Sequence, residues 1–221
     1  MNPTTVTFRR EEPADEREVE NLIREAFWNR YTPGCNEHYL AHVLRRSPAS
    51  VPELDILAEA DGRVIGSILY ARAKILLDAG GELPVLTFGP IAVLPDYQGQ
   101  GVGGQLIRHT QALAREAGGN AILIYGDPRY YGRFGFVAAE TYGIGTRQNT
   151  YLAALQAYEL KEGALTGAAG RFAEGDVYDV NETAAAAYDR MFPPKMKEKG
   201  NAAQRRFQES LKQCRPRGGA R

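Results

Sequence analysis

The stretch VLPDYQGQGVGGQLIRH, Val93 to His109, sets four glycines between an apolar run and a helical pattern. Glycine costs ordering entropy and brings no side chain, so such a cluster marks positive-φ positions or a close approach of backbone to something bound. Gly99, Gly101 and Gly104 satisfy the G-x-G-x-x-G dinucleotide spacing, and Asp127 at the end of the next strand could receive a ribose. Against that reading, PDYQ separates the apolar run from the first glycine, where a dinucleotide turn needs glycine at the strand end. A phosphate P-loop needs Lys and then Ser or Thr after its last glycine, and GVGGQLI supplies neither. Gln98-x-x-Gly101-x-Gly103 fits a loop entering a helix whose unsatisfied N–H groups and dipole face an anion. A reading without any ligand has Gly103 and Gly104 only letting the helix pack closely.

Working outward, Val102, Leu106, Thr110, Leu113 and Ala117 keep helical spacing until Gly118-Gly119, and AILIY follows as a buried strand. Upstream, LPVLTFGPIAVL is a strand interrupted at Gly89-Pro90, where a bulge or sheet edge is expected because proline cannot donate to a ladder. Asp61-Gly62 joins two β-rich runs as a hairpin. Near the start, VTFRR reads as a strand, Asp15 with Glu18 as a capping box opening an amphipathic helix, and residues 36–46 as a second helix. Downstream, RYYGRFGF holds a short helix, FVAAE reads as a strand, and a last strand spans Tyr151–Leu160. This order predicts an α/β domain over residues 1–160 with a mixed, mostly antiparallel sheet flanked by helices. Residues 161–221 read as a C-terminal extension with one helix near Asn181–Met191 and a basic tail.

The 221 residues are 43% hydrophobic, ample for a core, and their formal net charge is zero. No apolar run is long enough to span a bilayer and no secretion-signal h-region is present, so a cytoplasmic protein without membrane association is expected. Cys35 and Cys214 are then expected as free thiols. From Lys195 onward nine Lys and Arg face two Asp and Glu, which leaves the first 194 residues at net −7. With Phe207 as its one aromatic, the tail reads as solvated rather than as a nucleic-acid surface. His38 and His42 have chelating spacing with Cys35 nearby but no fourth ligand, so no metal site is expected.

The Gln98 to Gly104 loop resembles the acetyl-CoA signature of the GNAT N-acetyltransferase superfamily, Q/R-x-x-G-x-G/A after the fourth strand, and YYGRFGF is similar to that family's Y-x-x-x-G-F segment. GDPRYYGRFGF further resembles a bacterial subgroup of predicted acetyltransferases. The resemblance covers roughly residues 5–160. It implies splayed fourth and fifth strands, with Gly89-Pro90 at the distortion. It also implies backbone contacts to acetyl-CoA from Ile91, Ala92 and Val93, and a pyrophosphate loop of Gln98, Gly99, Gln100, Gly101, Val102, Gly103 and Gly104. Tyr131 is implied as the acid that protonates the departing thiolate, with Tyr130 a packing neighbour.

Such chemistry needs a free amine, donors for the oxyanion and a proton for the thiolate. TFGPI carries no His, Asp or Glu to take the amine's proton, which leaves Asp127, a water chain or an already neutral amine; Asp127 reads equally as a turn former before Pro128. The expected reaction is acetyl transfer to a primary amine of a small molecule or protein, with a homodimer left open. A non-catalytic acyl-CoA-binding module on the same fold and, more remotely, a dinucleotide-binding oxidoreductase are the alternatives.

Overall fold

In the computed structural model, which describes residues 5–211 and 213–218, the chain runs β1 (Thr7–Arg10), α1 (Glu16–Phe27), α2 (Glu37–Leu44), β2 (Ile56–Ala60), β3 (Arg63–Leu77) and β4 (Glu82–Val93). There follow α3 (Val102–Glu116), β5 (Ala121–Tyr125), α4 (Pro128–Tyr131), β6 (Val137–Ala138), β7 (Ile144–Gly145), β8 (Thr150–Leu152) and β9 (Leu155–Glu159). The chain closes with β10 (Gly170–Ala173), α5 (Glu182–Asp189), α6 (Ala202–Leu211) and β11 (Cys214–Pro216).

The main sheet has the order β1-β2-β3-β4-β5-β9-β6, antiparallel at each step except β4 to β5. Asp61 and Gly62, at φ 50° and 73°, make the tight β2–β3 turn that their residue types favour. Between the pairs Ile68–Ile91 and Tyr70–Phe88 the β3–β4 register slips, so that Leu69 faces both Gly89 and Pro90. A bulge bends its strand. β4 and β5 are paired only at Leu86–Ile122, and past that point they part.

Helix α3 lays Val102, Leu106, Ile107 and Ala114 over one face of the sheet, against Ile56, Ile68, Ile122 and Ile124. Helices α1 and α2 cover the other face, with Val19, Leu22, Ile23, Ala41 and Leu44 over Leu57, Leu69, Ala71 and Ala92. These layers hold the β4–β5 fork between them.

Three expectations need correction. Asp15 does not cap α1 with Glu18; its carboxylate accepts the Glu12 N–H at 2.8 Å and pairs with Arg9 at 2.6 Å, because a turn at Pro13–Asp15 precedes the helix. The strand expected over Tyr151–Leu160 is divided into β8, which pairs with β11, and β9, which pairs with β5. Residues 161–221 do not stand apart from the domain: β3 is long enough for its first half to pair with β2 and its last four residues with β10. Helix α5 is tied to α1 by Arg24 Nε on Asp189 at 2.7 Å.

Candidate active site

The fork opens into a cleft of about 630 Å³, walled by the end of α1, the last residues of β4, the glycine loop with the first turn of α3, and the β5–α4 segment. Its backbone donors follow from register. Leu94 N–H bonds to Ile65 O at 2.9 Å, and bonded and non-bonded pairs alternate in an antiparallel ladder. Ala92 is therefore bonded to β3, while Ile91 and Val93, opposite Ile68 and Gly66, turn their N–H and C=O groups toward the fork. Ala92 lines the cleft with Ile91 and Val93, its own N–H and C=O directed to β3 and its buried side chain packed under α1 and α2.

The loop ends in a helix start built by glycine. Gly101 sits at φ 87°, a conformation that L side chains resist, and the first helical hydrogen bond runs from Gln105 N to Gly101 O. The N–H groups of Val102, Gly103 and Gly104 precede that bond and lack helical acceptors. Gln98 Nε2 donates to Val93 O at 2.9 Å and ties the loop back to the strand. Gln100 lies outside the lining, with its amide on Asp96 O at 2.8 Å.

A Cβ on Gly103 would lie 2.8 Å from Tyr130 Oη, and one on Gly104 would lie 2.9 Å from the Phe134 ring. These two glycines thus admit rings from the segment after β5. Tyr130, expected as a packing neighbour, also brings its hydroxyl to the helix start at Gly103. Arg30, Arg108 and Arg133 also line the cleft, and among the described residues none pairs with a carboxylate. Sequence spacing gave no signal for them, since they come from three separate elements. Three unpaired guanidiniums beside a helix N-terminus make an anion-binding wall.

Tyr131 lines the same cleft, its ring 6.0 Å from Phe88 and 5.7 Å from Phe136. It lies flat on Gly126, where a Cβ would come within 2.0 Å of Cε2. Burial, then neighbouring Tyr31, pushes its phenol above the usual range. A shift toward the thiol's pKa of about 8.5 would have eased proton transfer; burial moves the phenol the other way. Tyr131 therefore stays protonated at neutral pH, a hydrogen-bond donor rather than a phenolate.

Asp127 caps α4: its carboxylate accepts Arg129 N–H at 2.9 Å and pairs with the Arg129 guanidinium at 2.8 Å. The side-chain bond to Arg129 holds it below the usual carboxylate range. Asp127 lines the cleft as an exposed, paired carboxylate of lowered pKa, which makes it a weak proton acceptor. His38 and His42 face different groups: His38 Nε2 lies 3.3 Å from Asp189 without a hydrogen bond, and His42 Nδ1 lies 3.1 Å from Glu20.

Residues 53–138, from just before β2 through β6, match the acetyltransferase (GNAT) domain model. The uncharacterized N-acetyltransferase YhbS of Escherichia coli K12 is 30% identical over 163 residues, 74% of this chain and 92% of that protein. The chain belongs to the GNAT N-acetyltransferase family. A second relative, the uncharacterized N-acetyltransferase YjhQ of the same organism, is 32% identical over 130 residues, 59% of this chain and 68% of that protein. The E. coli YhbS structure in complex with CoA superposes with a TM-score of 0.71 at 28% identity, covering 80% of this chain and 93% of that one. A GNAT acetyltransferase of Brucella melitensis in complex with acetyl-CoA gives 0.64 at 29%, covering 80% and 99%. GNAT membership removes the oxidoreductase reading, whose glycine would have had to sit at the end of β4 rather than six residues beyond it.

Proposed function

We propose that this GNAT protein transfers the acetyl group of acetyl-CoA to a primary amine of a small molecule or protein. The fork carries the reading: Ile91 and Val93 offer strand backbone to an amide-rich arm, and this edge runs straight into a helix start with free N–H groups and unpaired arginines for a pyrophosphate. Acetyl-CoA combines those parts in that order, and the relatives crystallised with CoA and acetyl-CoA support the match. The Ile91 N–H is placed to bond the thioester oxygen, where a donor aimed at the developing charge lowers the barrier by a few kcal/mol. Tyr131 faces the departing sulfur.

Calorimetry with acetyl-CoA, CoA and NADPH, followed by thiol release in the presence of amines, tests the reading. Binding of both CoA species but not NADPH, with amine-dependent thiol release, is expected. Binding of NADPH alone would overturn it, and CoA binding without turnover would leave a binding module.

A further inference from the structure

The cationic side chains of the cleft stand at two places. Arg108 and Arg133 flank the start of α3: Arg108 Nη1 comes within 3.6 Å of the position a Cβ on Gly104 would take, and the Arg133 guanidinium lies 4.6 Å over the Tyr130 ring. Arg30 enters from the opposite face of the sheet, just beyond the end of α1, and shares the cleft wall with Tyr31, an electrostatic neighbour of Tyr131. Arg30 is therefore beside the reacting end. Among the described residues the cleft lining holds one carboxylate, Asp127, and Arg129 already pairs with it at 2.8 Å.

The basic tail, expected to be solvated, adds to the charge at this place. Lys197 lies between Met196, whose carbonyl accepts from Trp28 and Asn29, and Glu198, whose N–H donates to Asn29 Oδ1; its Nζ is 5.9 Å from the Trp28 ring centroid. Phe207 packs 4.7 Å from the Tyr31 ring, which carries Arg206 to the same connection. From Lys195 to Phe207 the chain has five cations and one carboxylate. Lys195 is taken up by Glu25 at 2.6 Å, whereas Arg30, Lys197 and Arg206 pair with no carboxylate among the described residues. Like charges gathered around one connection repel each other, and an anion brought among them relieves that cost. An alkylammonium alone would meet only repulsion from this side.

We infer that the acceptor carries a carboxylate in addition to its amine, received by Arg30 and drawn in by Lys197 and Arg206; this rests on the acetyl-transfer reading above. A guanidinium offers two parallel N–H donors to a carboxylate, a fork that an ammonium lacks. The exposed Lys197 and Arg206 act at longer range, so salt screens their share. A carboxylate can come from two sources, a small amino acid or an acidic stretch of protein beside the amine.

The test uses the full chain at saturating acetyl-CoA and follows thiol release with acceptors paired to differ in charge. The pairs are 4-aminobutyrate and 6-aminohexanoate against their primary amides, and a blocked lysine peptide flanked by Glu against one flanked by Gln. Wild type should favour the carboxylate member of at least one pair by roughly tenfold in kcat/KM, and the preference should fall as NaCl is raised. A preference among the small pairs assigns a small-molecule acceptor, and one confined to the peptides assigns a protein. Arg30→Gln should bring the ratio close to one, Arg30→Lys should keep part of it, and Lys197→Gln with Arg206→Gln should lower it about twofold. If Arg30 serves the pyrophosphate instead, Arg30→Gln will slow both members of a pair equally and leave the ratio intact, which would overturn the assignment. Equal use of carboxylates and amides by wild type in every pair would overturn it as well. Absence of thiol release with every amine, charged or neutral beyond the amine itself, would overturn the acetyl-transfer reading.

Discussion

At the scale of single residues, Tyr130 and Tyr131 are adjacent in sequence yet meet different parts of the cleft, one at the helix start and the other on Gly126 beside Phe88. Tyr131→Phe keeps the ring and removes the proton, so kcat should fall by roughly 100-fold with acetyl-CoA affinity little changed, measured by steady-state kinetics and calorimetry. Tyr130→Phe should show the reverse split, a few-fold loss of affinity with kcat preserved; equal kcat for Tyr131→Phe and wild type would return that ring to packing. Gly126→Ala tests the support of Tyr131, because a methyl 2.0 Å from Cε2 must displace the ring, and kcat should drop as in Tyr131→Phe. The Tyr131 position was legible from its spacing to Gly135-Phe136, but its titration was not. Burial depends on Phe88 and Phe136 arriving from other elements, and no local pattern contains that.

Among elements, the loop into α3 concentrates the binding chemistry. Gly103→Glu would drive a carboxylate toward the Tyr130 hydroxyl and the free N–H groups, and should weaken CoA binding at least tenfold while circular dichroism keeps its wild-type form. Gly101→Ala has open space but forces a left-handed residue, so it should lower thermal stability with a smaller effect on affinity. The elements visible in sequence were those with local causes: the Asp61-Gly62 turn, the α3 periodicity, the Gly89-Pro90 break and the helix near Asn181–Met191, at whose start the structure adds a cap, the Asn181 carboxamide oxygen accepting Ala184 N–H at 2.9 Å. β10, β11 and α6 were not visible, because short strands gain their definition from partners far along the chain, Gly170 from Leu77 and Cys214 from Leu152.

Over the whole molecule, the C-terminal third holds the α1–α2 connection in place rather than trailing from it. Trp28 Nε1 and Asn29 Nδ2 donate to Met196 O, Asn201 Nδ2 and Gln204 Nε2 donate to Asn29 O, and Phe207 packs 4.7 Å from the Tyr31 ring. Since Arg30 and Tyr31 line the cleft, Gln204→Ala should raise the amine KM several-fold, with little change in kcat. A second tie joins α5 to α1 and α2 at a buried cluster, where Cys35 Sγ lies 3.4 Å from His38 Nδ1 and Asp189 lies between His38 Nε2 and Arg24. The arrangement has the order of a nucleophilic triad but the wrong protonation. Burial raises the Cys35 thiol to about 12 and lowers His38 to about 4, so thiol and imidazole both stay neutral and the cluster serves as a fastening. That protonation has a stability consequence of definite sign. Above the unfolded His pKa of about 6.5, folded and unfolded states both carry neutral imidazole, and the His38 contribution is complete. As pH falls from there toward 4, the unfolded chain binds a proton that the folded chain refuses, and stability is lost. Between pH 7 and 5 this linkage is worth about 2 kcal/mol. Urea unfolding of wild type and His38→Gln at both values checks it. The variant should be weaker at pH 7 yet lose about 2 kcal/mol less than wild type on acidification, because carboxylates common to both cancel in the comparison. Identical losses would mean that His38 takes up its proton inside the fold, with Asp189 and not burial deciding its charge.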